Sequence, residues 1–279
     1  MSGWIACVGI AYFAAGVEQH VQPALNKQPV ILMDYTPKRA KVIACSSEAV
    51  ALGVTPGITL NRARGLCPNG KFIAADKARY DRALDRLLEI LWTFSNRVEV
   101  EAAAFPHSAV CYVDLGSLNA ADIERLAMEM HKAIPAGMHL RASIGVASGK
   151  LPARLAAFKS GAHIVPHGEE RAFIAPFSVD CLTFDKESRR RLELLGIKTI
   201  GQYAALPASV ILGQFGKAGR MLHTLANGWD RRPVTPRKMP PVESASRAFD
   251  DPLTSRLRLD IVVQKIAEEL EMRLADRVA

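Results

Sequence analysis

The 279-residue chain contains no Cys-x-x-Cys pair, and its five cysteines (Cys7, Cys45, Cys67, Cys111 and Cys181) are scattered and odd in number. That spacing argues against a structural zinc site and against a disulfide framework, and reads as reduced thiols in a cytoplasmic protein. Residues 1–17 carry no charged side chain. They lack the basic start of a signal peptide, and glycines and aromatics interrupt their apolar stretch, which is too short to span a bilayer. Residues 4–11 therefore read as a strand, and no membrane association is expected.

What is present is a chain long enough for two or more domains, with 49% apolar and 23% charged residues, as in ordinary globular proteins. Its net charge of +8 is localised. Residues 186–238 hold eleven basic side chains against three acidic ones, while the rest of the chain balances at 25 of each sign. A neutral body with one basic module suggests a polyanion surface, most simply for nucleic-acid phosphates; a solvated helix face is the alternative. Within the module, a helix over 187–195 stops at Gly196, and a second helix follows near 200–206. A comparable unit spans 210–225, broken by Gly216 and Gly219. Such helix-hairpin-helix units hold phosphates with turn amides and adjacent cations, without reading bases. The expected contacts are Gly196, Lys198, Thr199, Gly216, Lys217, Gly219 and Arg220. Beyond them, residues 231–241 contain four prolines and read as an extended, stiff tether.

Four blocks share one further pattern. Cys7 to Glu18 forms a strand-to-helix junction with Tyr12, Phe13, Ala15, Val17 and Glu18. Val42 to Pro68 contains Glu-Ala, Gly-Val and Cys-Pro around an alanine-rich helix. Arg141 to Gly161 includes Ser-Ile-Gly-Val-Ala-Ser-Gly-Lys. Leu195-Gly-Ile-Lys, Phe215-Gly-Lys-Ala-Gly and Asn227-Gly-Trp-Asp make the last block. In this order and spacing, over roughly residues 4–235, the chain resembles the Y-family (translesion) DNA polymerases. The resemblance implies an α+β, right-hand polymerase architecture. A ferredoxin-like palm would cover 1–24 and 78–166, inserted fingers 25–77, a helix-hairpin-helix thumb 167–232, a linker 233–242 and the start of a little finger 243–279. Strands are expected at 4–11, 98–104, 109–115 and 140–147, and palm helices at 13–20, 78–93 and 120–133. One strand and one helix cannot bury a core of their own, so either a longer natural chain or packing of this last piece on the rest is expected.

The same resemblance implies Mg²⁺ held by carboxylates at positions that here are Gly9, Ala11, Ala109 and Val110. None offers a side-chain oxygen to a hard cation. Of the other nearby acids, Glu18, Glu99, Glu101 and Asp34 read as solvated or capping carboxylates. The nucleotide positions are altered as well: Ala14, Ser47 and Val50 stand where the family has its sugar-excluding aromatic and its triphosphate-binding tyrosine and arginine. Lys150 alone is retained, as a match to a triphosphate lysine. The thumb departs too, with Leu182-Thr-Phe-Asp-Lys replacing a Gly-x-Gly turn, so the first hairpin is expected to bind phosphate poorly. Together these positions suggest no catalytic, nucleotide or metal site, hence no cofactor. The chain looks most like the ImuB-like members of the family. That likeness implies primer-template DNA binding in DNA repair and translesion synthesis during the SOS response to DNA damage, with a partner polymerase and a sliding clamp. No Gln-x-x-Leu-type clamp peptide is evident. An active polymerase with displaced ligands and a protein-interaction scaffold without DNA binding are the alternatives.

Overall fold

The computed structural model describes residues 3–36, 39–159, 161–237, 249 and 255–278. The chain divides into two compact units, Met1–Arg237 and Lys238–Ala279.

In the first unit, β1 (Trp4–Ile10) turns at Ala11 and Tyr12 into α1 (Phe13–Val21). Trp4, Ala6, Val8 and Ile10 enter the main core, while Ile5 and Cys7 join a second cluster on the opposite face, as strand alternation requires. The chain then departs through β2 (Val30–Thr36), β3 (Arg39–Cys45), α2 (Ser47–Ala51), α3 (Leu60–Leu66) and β4 (Lys71–Ala74). These strands form a separate sheet of order β3-β2-β4 with its own core around Ile31, Met33, Val42 and Cys67. The chain inserts this module between α1 and the remainder of the main sheet.

The main sheet resumes with α4 (Lys77–Trp92), β5 (Val98–Val100), β6 (Ala109–Gly116), α5 (Ala120–Met138), β7 (Ser143–Ala147), α6 (Lys150–Ala156) and β8 (Ala162–Ile164). Its order is β5-β6-β1-β7-β8; the first four strands give the ferredoxin-like arrangement. Leu84, Leu87, Leu88 and Leu91 of α4 and Ile123, Ala127, Met130 and Ile134 of α5 recur at helical spacing and pack on one face. The other face is covered by α6, which approaches β7 so closely that a Cβ on Gly145 would lie 2.0 Å from the Ala153 carbonyl oxygen. Glu18 is 1% exposed; it accepts from Arg79 Nη1 at 2.6 Å and from the Tyr80 hydroxyl at 2.9 Å. It therefore joins α1 to α4 across the two ends of the inserted module, and is not the solvated carboxylate expected.

A helical module follows: α7 (Glu170–Ile174), α8 (Lys186–Leu194), α9 (Ile200–Ala204) and α10 (Ala208–Ala226). Phe184, Tyr203 and Phe215 meet mostly edge to face in its core. Gly196 ends α8 at φ 67°, with Ile197 N–H donating to the Leu192 carbonyl and Gly196 N–H to that of Glu193, a Schellman closure. Gly216 breaks α10 at φ 62°, ψ −158°. Gly219, expected as a second break and a phosphate contact, is instead buried: its absent side chain leaves room for Phe215, and its carbonyl accepts from the Tyr203 hydroxyl at 2.9 Å.

Three boundaries also differ from expectation. The strand expected over 98–104 stops at Val100, because Ala102 to His107 turn away from the sheet. The helix expected over 120–133 runs on to Met138, carrying Pro135 within it. Pro233 to Arg237, expected as a tether, packs along the sheet edge: Val234 is buried, Thr235 N–H donates to Glu99, and Arg237 N–H donates to the Val98 carbonyl. Residues 238–242 of that linker lie outside the described residues.

In the second unit α11 covers Arg256–Val278. The strand expected after residue 243 falls outside the described residues, Phe249 apart. Among the described residues no helix is long and apolar enough to cross a membrane.

Candidate functional site

The junction β1–α1 positions the first two altered residues. Gly9 lies on β1 directly opposite Val110 of β6 and Ser143 of β7, whereas Ala11 sits just beyond the strand, exposed in the turn. Ala109, paired with Ile10, belongs to the main core and is fully buried. Gly9 and Val110 thus share a face, and Ala109 faces the other way. The acids nearest in register are Glu101, whose N–H donates to the Val110 carbonyl, and Glu99, opposite Tyr112.

Both carboxylates are committed. Lys150 Nζ lies 2.6 and 2.8 Å from the Glu99 oxygens, and Thr235 N–H adds a third donor at 2.5 Å. Arg154 Nη1 lies 2.5 Å from both Glu101 oxygens, and the Tyr112 hydroxyl donates to Glu101 at 3.0 Å. Burial, with the neighbouring Cys7 and Glu101, raises the Tyr112 hydroxyl well above its ordinary range. Cys7, Val110, Tyr112, Ala153, Ala156 and Val234 close an apolar cluster over the same face. Mg²⁺ requires several oxygen ligands in near-octahedral array. These residues do not fit it: the strand positions are apolar, and each flanking carboxylate already has a cation. Lys150, 7% exposed, is held by Glu99 rather than presented to a phosphate. No cluster of three or more His, Cys, Asp or Glu suited to a metal occurs among the described residues.

At the start of α1 the first two amides are taken by the chain itself. The first amides of a helix have no intrahelical partner and favour anions. At α1, however, Phe13 N–H donates to the His107 carbonyl at 2.7 Å and Ala14 N–H to that of Pro106 at 3.1 Å. The turn that supplies these carbonyls also packs Phe105 on Phe13 and His107 edge-on to Tyr12. His107 Nδ1 further accepts from Cys45 N–H at 3.4 Å, linking this turn to the end of β3. Ala14 is fully buried, Val50 packs in the inserted module's core, and only Ser47 is exposed. The sequence shows Phe-Pro-His after an alanine run, but its reach to α1 depends on the strand ending at Val100.

Burial lowers the His107 pKa below its ordinary 6.5. A histidine depressed in the folded state contributes stability that is whole above the unfolded pKa and is lost as pH falls through the folded one. Protonating Nδ1 also removes the acceptor for Cys45. The melting midpoint should therefore fall more between about pH 7.5 and about pH 5 in the wild type than in His107→Gln; equal acid sensitivity of the two would refute this.

The helical module presents the basic surface. Lys186, Arg190, Lys198, Lys217 and Arg220 are exposed and have no ion-pair partner among the described residues. Arg189, Arg191, Arg232 and Arg237 are paired with Asp180, Glu187, Asp230 and Asp85. The first hairpin is closed at its backbone: Gln202 Oε1 accepts from Lys198 and Thr199 N–H at 2.7 and 3.1 Å, and Thr199 Oγ1 caps Gln202 N–H. The Thr-x-x-Gln spacing is a readable capping box. With the Gly196 and Ile197 amides also engaged, this hairpin offers the Lys198 ammonium alone. At the second, Gly216 opens a new helical start on which Lys217 and Arg220 are exposed.

Asp230 ties the module's end to the palm. Its carboxylate accepts from Leu151 N–H at 2.8 Å and from Arg232 Nε and Nη2 at 2.7 and 2.6 Å. Burial alone would raise its pKa, but the Arg232 guanidinium and the Leu151 and Arg232 amides hold it below the ordinary carboxylate range.

Residues 8–157 match the model of the impB/mucB/samB family. DNA polymerase IV of Dehalococcoides mccartyi (strain CBDB1) is 31% identical over 274 residues, covering 97% of this chain and 70% of that protein. DNA polymerase IV of Pelotomaculum thermopropionicum is 33% identical over 240 residues, covering 83% and 58%. Among solved structures, DinB from Sulfolobus solfataricus superposes with a TM-score of 0.73 at 23% identity, over 83% of this chain and 69% of that one. A ternary insertion complex of Dbh DNA polymerase gives 0.72 at 22%, over the same shares. The chain belongs to the impB/mucB/samB family and has the fold of the Y-family DNA polymerases.

Proposed function

We propose that this chain is a non-catalytic Y-family homologue that binds primer-template DNA and assists another polymerase in synthesis past lesions, in the manner of ImuB-like proteins. The observation that carries the non-catalytic half is the closure of the α1 amides by the Pro106 and His107 carbonyls. It coincides with apolar residues at Gly9, Ala11, Ala109 and Val110 and with cations already neutralised by Glu99 and Glu101. Phosphoryl transfer relies on metal-borne charge stabilisation, and these residues supply none. The DNA-binding half is supported by the unpaired cations of the thumb and by relatives named as DNA polymerases. Contacts there go to phosphates, so little base preference is expected. A sliding clamp and a partner polymerase are the protein partners this reading calls for.

The test is DNA binding and primer extension on one sample with Mg²⁺ and with Mn²⁺. Primer-template DNA should bind with a log-log salt slope of about −0.9 per duplex phosphate neutralised, with no extension above a no-protein control. Extension would establish an active polymerase, and no DNA binding at low salt would establish a scaffold.

A further inference from the structure

We propose that Trp229 and the arginines around it form a docking surface for an acidic protein segment carrying one apolar anchor side chain, separate from both the metal end of the palm and the phosphate-facing hairpins. Trp229 is 58% exposed, and three cavities of about 970, 540 and 500 Å³ meet at its ring. An isolated exposed apolar residue needs no explanation, but a large one bordering contiguous grooves marks an interaction site. The ring is planted rigidly. Gly228, at φ 86°, lies so close to Arg171 that a Cβ there would come within 2.9 Å of the Arg171 amide nitrogen. On the other side Asp230 is buried and bonded to Leu151 and Arg232. A tryptophan held out by a fixed base loses little entropy on binding, which suits it to be an interface anchor.

Charge selects the partner. Arg171 and Arg231 are exposed around the ring with no ion-pair partner among the described residues, the Arg231 guanidinium 5.5 Å from its centroid, while Arg97 and Arg232 are exposed but paired with Asp114 and Asp230. Of the carboxylates of the same surface, Asp230 is 6% and Glu170 7% exposed, the latter accepting from Gly168 N–H and the Ser148 hydroxyl, and Asp114 is half-buried against Arg97, which leaves Arg171 and Arg231 as the uncompensated charges. The face toward solvent is therefore cationic. The groove beside the ring, walled by Met221, Leu225 and Pro233, is apolar and fits an aliphatic or aromatic side chain. That apolar wall suits a hydrocarbon side chain better than the polar edge of a nucleobase, which would lose its hydrogen bonds to water there, and so favours a polypeptide. Ile5 of the same strand lines this surface, while Gly9, four residues on, marks the metal end, roughly 13 Å away at strand rise. The proposal goes beyond the accessory reading and stands without it.

The experiment uses the full chain and three labelled probes: a short Asp/Glu peptide with a central Leu-Phe pair, the same peptide with Ser-Ser at the centre, and oligo-dT of matching length. The Leu-Phe peptide should bind at least about tenfold more tightly than the Ser-Ser peptide. Trp229→Ala and, as an independent exposed-site variant that adds no charge, Met221→Gln should each weaken the Leu-Phe peptide about tenfold or more, with the unfolding midpoint and primer-template binding unchanged. Equal affinity for the two peptides, no binding of the Leu-Phe peptide, or undiminished binding by both variants overturns the proposal. So does loss of oligo-dT binding in Trp229→Ala with the peptide unaffected, which would assign the surface to nucleic acid.

Discussion

Gly145→Ala should destabilise the protein by more than about 4 kcal/mol, the range reserved for severe core damage, and lower the melting midpoint by roughly 10 °C or more. An alanine Cβ there would lie 2.0 Å from the Ala153 carbonyl oxygen and 2.3 Å from the Ala157 amide nitrogen. Both are backbone atoms, so no side chain can swing aside. Relief requires α6 to leave β7, and α6 carries Lys150 and Arg154, the partners of Glu99 and Glu101. Gly65→Ala is the matched control. It lies within α3 with nothing within 4 Å of its Cβ position, so it should be neutral or stabilising by up to about 1 kcal/mol. Paired thermal or denaturant unfolding decides the matter. Equal midpoints for the two variants would mean that α6 is not seated against the sheet.

The second large effect concerns the thumb. Lys217→Glu combined with Arg220→Glu should weaken primer-template binding by about tenfold or more at roughly 0.1 M salt, alike for all sequences, and reduce the salt slope by about one per lost contact. Lys198→Glu should cost less, because the first hairpin keeps its amides for Gln202, Leu192 and Glu193 and has only a side chain to offer. Both changes are at exposed positions, so the unfolding free energy should stay within about 0.5 kcal/mol of wild type. Titrations of labelled duplex at several salt concentrations read affinity and slope together. A larger loss at Lys198 than at Lys217 and Arg220 would reverse the assignment of the hairpins, and unchanged affinity in the double variant would remove the thumb from DNA binding.

Much of the fold was readable because its signals are periodic. The alternation of Trp4, Ala6, Val8 and Ile10, the leucines of α4, the glycine stop at Gly196 and the localised positive charge each follow from the order of residues along a strand, a helix or a turn. So did the apolar character of the strand positions: Gly9, Ala11, Ala109 and Val110 have no side-chain oxygen in any fold. The roles of charged residues were less readable, since an acid's environment depends on elements far away in the chain. Glu18, Glu99 and Glu101 look like surface carboxylates in sequence, yet their partners are 61, 51 and 53 residues distant. Gly219 looked like a helix break and is a packing site, because Tyr203 and Phe215 come to it from other turns.

The sequence by itself therefore determined the element order, the family resemblance, the apolar residues at the strand positions and the position of the basic module, all of which are properties of residue type and local spacing. Tertiary structure alone decided that the α1 amides are taken by the Pro106 and His107 carbonyls, that Lys150 and Arg154 are spent on neighbouring carboxylates, that one hairpin is closed while the other presents its cations, and that Trp229 stands exposed where three cavities meet. Hydrogen bonds and ion pairs saturate. Whether an amide or a cation remains available to a ligand depends on what the fold has already placed against it.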